Sequence, residues 1–152
     1  MRIQFKRIHP DVQRPSRHFN AGAWDLYLPE AVSLQPWVVN RVKLGFATAF
    51  SDGIRAVLHD RSSMGAAGIH VFAGLIDCDY RGEWEARLSN STPNTIMFPK
   101  GHAIVQVKFE YVPDAVWVDE DNLPASDRGT AGWGSSDRDG ANSAIRNGIM
   151  RQ

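Results

Sequence analysis

Apolar residues in this chain come in short alternating runs closed by turn residues. Over residues 102–109 the side chains of Ile104, Gln106 and Lys108 share one phase, and those of Val105, Val107 and Phe109 share the other. That period of two is the mark of a half-buried strand. Similar runs occupy residues 37–44 and 53–58. Pro29, Pro36, Gly45, Gly53, Pro93, Pro99 and Gly101 interrupt the pattern too often for long helices. The one helical stretch predicted is short, residues 62–67. Strands at this spacing predict an all-β domain, either a barrel or a jelly-roll-like double sheet.

From about Pro113 the pattern lapses. Val116-Trp-Val-Asp-Glu-Asp-Asn-Leu-Pro124 is acidic and broken, and everything from Ala125 is rich in Gly, Ser, Asp and Arg. Such a composition cannot bury a core of its own. Two parts are therefore expected: a β domain over residues 1–124 and a flexible C-terminal arm over residues 125–152 that orders on contact. On composition alone the arm reads as a plain disordered tail. A glycine-rich strip within it argues for a lid.

The charges balance at 17 basic and 17 acidic residues in a chain of 152. Without a basic excess, neither nucleic acid nor an anionic membrane is an expected partner. Cys78 is the single cysteine, which excludes an internal disulfide and fits a reducing compartment. The N-terminus lacks the apolar run of a signal peptide, and no stretch is long enough to span a bilayer. A soluble, cytoplasmic protein is expected. Trp24, Trp37, Trp84 and Trp117 are expected to pack in the ordinary way.

Two distant segments carry most of the chemistry. Gly74-Leu-Ile-Asp-Cys-Asp-Tyr-Arg-Gly-Glu83 reads as a hairpin holding a carboxylate, Asp77, and an aromatic ring, Tyr80. Arg128-Gly-Thr-Ala-Gly-Trp-Gly-Ser135 offers an arginine suited to phosphate and a tryptophan suited to a flat ring. Together they suggest a nucleotide, and a carboxylate able to take a proton from water suggests hydrolysis. An unremarkable alternative makes Asp77 and Asp79 turn residues and Tyr80 cross-strand packing.

Three further segments complete the set. Asp25, in Ala21-Gly-Ala-Trp-Asp-Leu-Tyr27, is a strand carboxylate or a turn aspartate. Arg61, Ser62 and Ser63 open the short helical stretch and make a phosphate cradle. A simpler reading has one serine as a helix cap and Arg61 as a solvated charge. Gln106 interrupts an apolar strand and needs a partner if buried, since an unpaired amide costs about 1–3 kcal/mol.

These five segments, in this order and spacing, resemble the motifs of the trimeric deoxyuridine triphosphatases, the dUTP pyrophosphatases. The likeness runs from about Ala21 to Ser136. It implies a jelly-roll-like distorted barrel, a homotrimer with shared active sites, and hydrolysis of dUTP to dUMP and pyrophosphate with Mg2+. By resemblance, Asp77 is the general base and Tyr80 excludes a ribose 2′-hydroxyl. The hairpin backbone at Gly74 and Ile76 meets uracil, and Arg61, Ser62, Ser63 and Gln106 hold phosphates. Asp25 holds the metal through water. Arg128 clamps the γ-phosphate, Trp133 stacks on the base, and Gly134, Ser135 and Ser136 complete that strip. The chain departs from the family pattern at Ala23, His102, Ala103, Ala131 and Trp133, and lacks the asparagine that many members place before the hairpin to read the base. Two alternatives share the fold. A dCTP deaminase needs a glutamate where Arg87 stands here, and a non-catalytic nucleotide-switched regulator would keep the same site.

Overall fold

The longest element is the strand that the alternation at residues 102–109 predicts. It is β11, Ala103–Tyr111. It lies inside a four-stranded antiparallel ladder, between β2 (Trp24–Tyr27) and β6 (Ile54–His59), with β8 (Leu75–Ile76) beyond β6. A three-stranded ladder places β9 (Glu85–Asn90) between β4 (Val39–Lys43) and β7 (Ile69–Phe72). Two pairs complete the set: β1 (Gln4–Arg7) with β5 (Phe46–Ala49), and β3 (Val32–Leu34) with β10 (Ile96–Phe98). The fold is all-β and jelly-roll-like; among the described residues there is one short helix, α1 (Ser62–Ala66), and no ladder closes on itself. This computed structural model describes residues 1–130. It divides into a unit of Met1–Ala115 and a second that begins at Val116.

The core of the first unit is the inward face of these strands. On β9, Ala86, Leu88 and Asn90 are buried while Glu85, Arg87 and Ser89 alternate outward. Leu26, Leu58, Trp84, Val105 and Val107 join them in one apolar cluster. Asn90 is fully buried, yet every polar position of its amide is used. Its nitrogen donates to the Leu34 and Asn94 carbonyls at 3.0 and 2.8 Å. Its oxygen accepts from the Thr92 amide and hydroxyl at 3.0 and 2.8 Å. A buried amide satisfied in this way costs little and fixes the turn around it.

Four details differ from the sequence reading. The register of β11 against β2 shifts between Ala103 and Val105, so Ile104 is the extra residue of a bulge and is buried together with Val105. It does not share the outer face of Gln106, because a bulge inserts one residue and reverses the phase. Residues 75–85 do not form a two-stranded hairpin: β8 pairs with β6, whereas β9 pairs with β4 and β7. The segment between them crosses from one ladder to the other. Trp37 precedes its strand in a left-handed conformation (φ 61°), with its amide donating to the Asn90 carbonyl. Packing accounts for Trp84, but Trp37 is 68% exposed and Trp117 is 99% exposed.

Candidate active site

Gln106 organises the first half of the site. Its partners in the ladder are Asp25 on β2 and His59 on β6, so the three side chains occupy one row on one face of the sheet. The Gln106 amide donates to the Asp60 carbonyl at 2.7 Å, which supplies the partner expected for a glutamine in an apolar strand. Arg61 then follows β6 and turns back over the row. Its Nε and Nη2 donate to the two oxygens of Asp25 at 2.8 and 3.2 Å, and Nη1 donates to the Ala103 carbonyl at the bulge, 3.1 Å away.

Arg61 is also the N-cap of α1, in an extended conformation and with no capping bond from its side chain. Ser62 and Ser63 are therefore first-turn residues rather than caps. The first amides of a helix have no partner within it, so this turn presents hydroxyls and amides beside the Arg61 guanidinium. Asp60 fixes the corner. Its carboxylate accepts from the Val71 amide and pairs with His70 Nδ1, both at 3.0 Å. Burial pushes the Asp60 carboxyl up, but these hydrogen bonds, together with its own backbone amide and the neighbouring imidazole, outweigh it and hold the group below the ordinary carboxylate range.

Asp25, Arg61, Ser62, Ser63 and Gln106 all line one cleft of about 380 Å³. Ser16, Arg17 and His18 also form part of its wall and are absent from the sequence reading. Ser16 reaches the cleft by exchanging backbone hydrogen bonds with Asp25. No sequence signal marks that wall, because one isolated bridge leaves no periodic trace.

A second cleft, of about 230 Å³, is lined by Ile76, Asp77, Tyr80, Glu85 and Arg87, with Ala73 and Leu75. Gly74 lets β8 start flush against β6. Its carbonyl accepts from the Leu58 amide at 2.8 Å, and a β-carbon at Gly74 would sit 2.6 Å from the Leu58 carbonyl oxygen. Gly82 lets the Tyr80 ring fold down over the turn, since a β-carbon there would collide with the ring. The Tyr80 hydroxyl donates to the Glu83 carbonyl at 3.2 Å, which fixes the ring.

Asp77 is exposed at the mouth of this cleft. The strand ends at Ile76, so simple alternation does not decide where Cys78 points. The Cys78 thiol lies 3.7 Å from Asp52 Oδ1, and burial, reinforced by that carboxylate, pushes its pKa up. It is a poor nucleophile there.

Arg128 lies in the second unit, in a turn that Gly129 closes by donating to the Ser126 carbonyl at 3.0 Å. Ala131, Trp133, Gly134, Ser135 and Ser136 lie outside the described residues.

Among the described residues the two clefts have no lining residue in common. The dUTPase family model matches residues 10–137, a span that holds both clefts and Arg128. The chain belongs to the dUTPase family. It is 36% identical over 142 residues to the deoxyuridine 5'-triphosphate nucleotidohydrolase of Thermobifida fusca, covering 90% of this chain and 79% of that one. The protein of the same name from Mycolicibacterium gilvum is 37% identical over 142 residues, 86% of this chain and 91% of the other. Among solved structures, a Staphylococcus bacteriophage 80alpha dUTPase with dUpNHpp superposes with a TM-score of 0.81 at 20% identity, over 89% of this chain and 98% of that one. A dUTPase from phage phi11 of S. aureus, with a structural Mg(II) ion, gives 0.75 at 16% identity, over 82% of this chain and 100% of its own. At those identities the two phage structures speak for the fold.

Proposed function

We propose that the protein hydrolyses dUTP to dUMP and pyrophosphate. The phosphate chain would lie in the Arg61 cleft of one copy and the nucleoside in the Asp77 cleft of another. The observation that carries this arrangement is the separation of the two clefts along β6. Asp77 follows Ile76, which pairs with Ala56, whereas Arg61 lies past His59. The strand between covers about 10 Å at roughly 3.3 Å per residue, and both side chains lie outside that interval. A general base must come within hydrogen-bond reach of its water. A ring of three copies, each lending Asp77 to a neighbour's Arg61 cleft, meets that requirement. The third copy contributes its arm, with Arg128 on the γ-phosphate, Trp133 on the base, and Gly134, Ser135 and Ser136 alongside.

Within such a site Asp77 takes a proton from the water that attacks the α-phosphorus. A bond forms from the water oxygen to phosphorus, the bond to the α,β-bridging oxygen breaks, and pyrophosphate departs. Arg61, Ser62 and Ser63 donate to the phosphate oxygens on which charge gathers. Tyr80, fixed through its hydroxyl, packs its ring against the deoxyribose and leaves no room for a 2′-hydroxyl. Magnesium, when bound, neutralises triphosphate charge. The donor set fits an ion held mainly by phosphate and water. Among the described residues Asp25 is the one carboxylate lining the cleft, and no three His, Cys, Asp or Glu side chains gather to cage a metal. Asp25 would hold the ion through water, beside Gln106.

Deamination is disfavoured by the second cleft. Arg87, standing where a deaminase needs a glutamate, is a donor-only side chain that offers no acceptor, and the nearby Glu85 is tied to two arginines. The single cysteine supports a reducing, cytoplasmic setting; among the described residues no helix is long and apolar enough to cross a membrane. Pyrophosphate release measured with dUTP, dCTP, dTTP and UTP, each with magnesium, tests the proposal. Turnover of dUTP well above the others is expected, and equal turnover of UTP would remove the role given to Tyr80.

A further inference from the structure

We infer that Arg87 reads the 4-oxo group of the uracil ring and so sets the preference for uracil over cytosine. The inference rests on the reading of the Asp77 cleft as the nucleoside site.

Arg87 projects from the outward face of β9, paired across the ladder with Arg41 on one side and Phe72 on the other. Two arginines directly opposite repel each other, and Glu85 holds both. Arg41 Nε donates to Glu85 Oε2 at 2.8 Å and its Nη2 pairs with Oε1, while Arg87 Nη2 meets Oε2 at 3.1 Å. Chiefly through the Arg41 hydrogen bond, the Glu85 carboxyl is held below its ordinary range. It stays ionised, and both of its oxygens are engaged. One face of Arg87 is thereby fixed. A guanidinium carries five N–H donors in a rigid fork, and the Glu85 contact uses only one side of it.

The other groups of the cleft leave this role open. Ala73, Leu75 and Ile76 present apolar side chains, Asp77 is an acceptor, and the Tyr80 hydroxyl already donates to the Glu83 carbonyl. Among the described residues lining the cleft, Arg87 is therefore the side-chain donor with capacity to spare. Uracil and cytosine differ most at C4, where uracil offers a carbonyl acceptor and cytosine an amino donor. A donor-only side chain bonds the first and opposes the second. A site built to hydrogen-bond its substrate discriminates far better than one that relies on shape, because the mismatched ligand leaves polar groups unpaired.

The test compares kcat/KM for dUTP and dCTP, and Kd for dUMP and dCMP, in the wild type and Arg87→Met. A hydrogen bond from a charged donor predicts a fall of about 10–100-fold for dUTP and for dUMP. The cytosine nucleotides should lose little, so the preference for uracil should shrink by a similar factor. Arg87→Gln, which removes the charge but keeps a polar side chain, serves if the methionine variant does not fold. Equal losses for uracil and cytosine nucleotides would assign Arg87 to the phosphates or to folding and overturn the inference. Unchanged constants would remove Arg87 from the substrate altogether. A wild type that does not hydrolyse dUTP would instead strike at the nucleotide reading itself.

Discussion

Arg61 and Asp25 are joined at two points, Nε to one carboxylate oxygen at 2.8 Å and Nη2 to the other at 3.2 Å. Each side chain keeps more than a quarter of its surface in water. An ion pair of that exposure contributes about 1 kcal/mol or less to stability. Its value lies in orientation, because a planar guanidinium gripped at two points cannot rotate away from the α1 turn. Asp25→Asn should therefore shift the melting temperature by only about 4 °C or less, while kcat/KM for dUTP falls by about tenfold or more as Arg61 loses its fixed pose. A large fall in melting temperature would mean that the pair holds the fold together instead.

Mixing two inactive variants tests the shared site. In Arg61→Gln the phosphate cleft is lost and in Asp77→Asn the base is lost, so each homotrimer should be nearly inactive. When the two are unfolded and refolded together in equal amounts, a site needs an intact Asp77 from one copy and an intact Arg61 from its neighbour. Random assembly of a ring should then restore about one quarter of the wild-type sites. No recovery, with co-assembly verified by a tag on one variant, would place both residues in one copy's site.

Asp77→Asn preserves shape and removes the proton acceptor. Turnover should fall by about 10²–10⁴-fold, the usual cost of losing a general base. Affinity for a non-hydrolysable dUTP analogue should hold or improve, since a negative charge near the phosphates is gone. Near-normal turnover would assign the activation of water to another group.

How much of this was legible in the sequence depends on the range of the interaction. The alternation of β11, the short helix at Ser62 and the need of Gln106 for a partner are local properties, and all three are found in the structure. The bulge at Ile104 was not legible, because which residue is extra depends on the register with β2. The segment after β8 looks like a hairpin in sequence, yet its two strands belong to different ladders, a choice made by β6 and β4. The same limit hid Ser16 as a cleft residue, because it arrives by an isolated bridge. Arg87 was singled out only as the place where a deaminase needs a glutamate, and its position in the cleft depends on its phase on a strand whose neighbours the sequence does not name.

Gly74→Ala would put a methyl group 2.6 Å from the Leu58 carbonyl oxygen. That oxygen belongs to a paired strand and cannot step aside without disturbing β6. A destabilisation of about 1–3 kcal/mol is expected, as for other overpacked sites, and denaturant unfolding measures it. Because Leu75 and Ile76 of β8 line the Asp77 cleft, displacing β8 should weaken the affinity for dUMP as well. A variant as stable as the wild type would show that β8 can lift from β6 at little cost.

His102 gives the protein a pH dependence of definite sign. Its ring packs on Phe98 with centroids 4.9 Å apart, and its Nε2 is buried with no hydrogen-bond partner among the described residues. Burial, and then the nearby Arg61 charge, lower its pKa from the ordinary 6.5. The folded state thus prefers the neutral ring, and below pH 6.5 the unfolded chain binds more protons at this position than the folded one. Stability rises with pH wherever the unfolded state holds more protons. The contribution of His102 is therefore complete above its unfolded pKa and declines as pH falls below it, towards the lower folded value. His102→Phe removes that proton while keeping a ring against Phe98. Between pH 7 and pH 5 the wild type should lose stability more steeply than the variant, and taking the difference cancels the other histidines. Parallel curves in denaturant titrations would show that the ring becomes solvated on protonation and carries no such linkage.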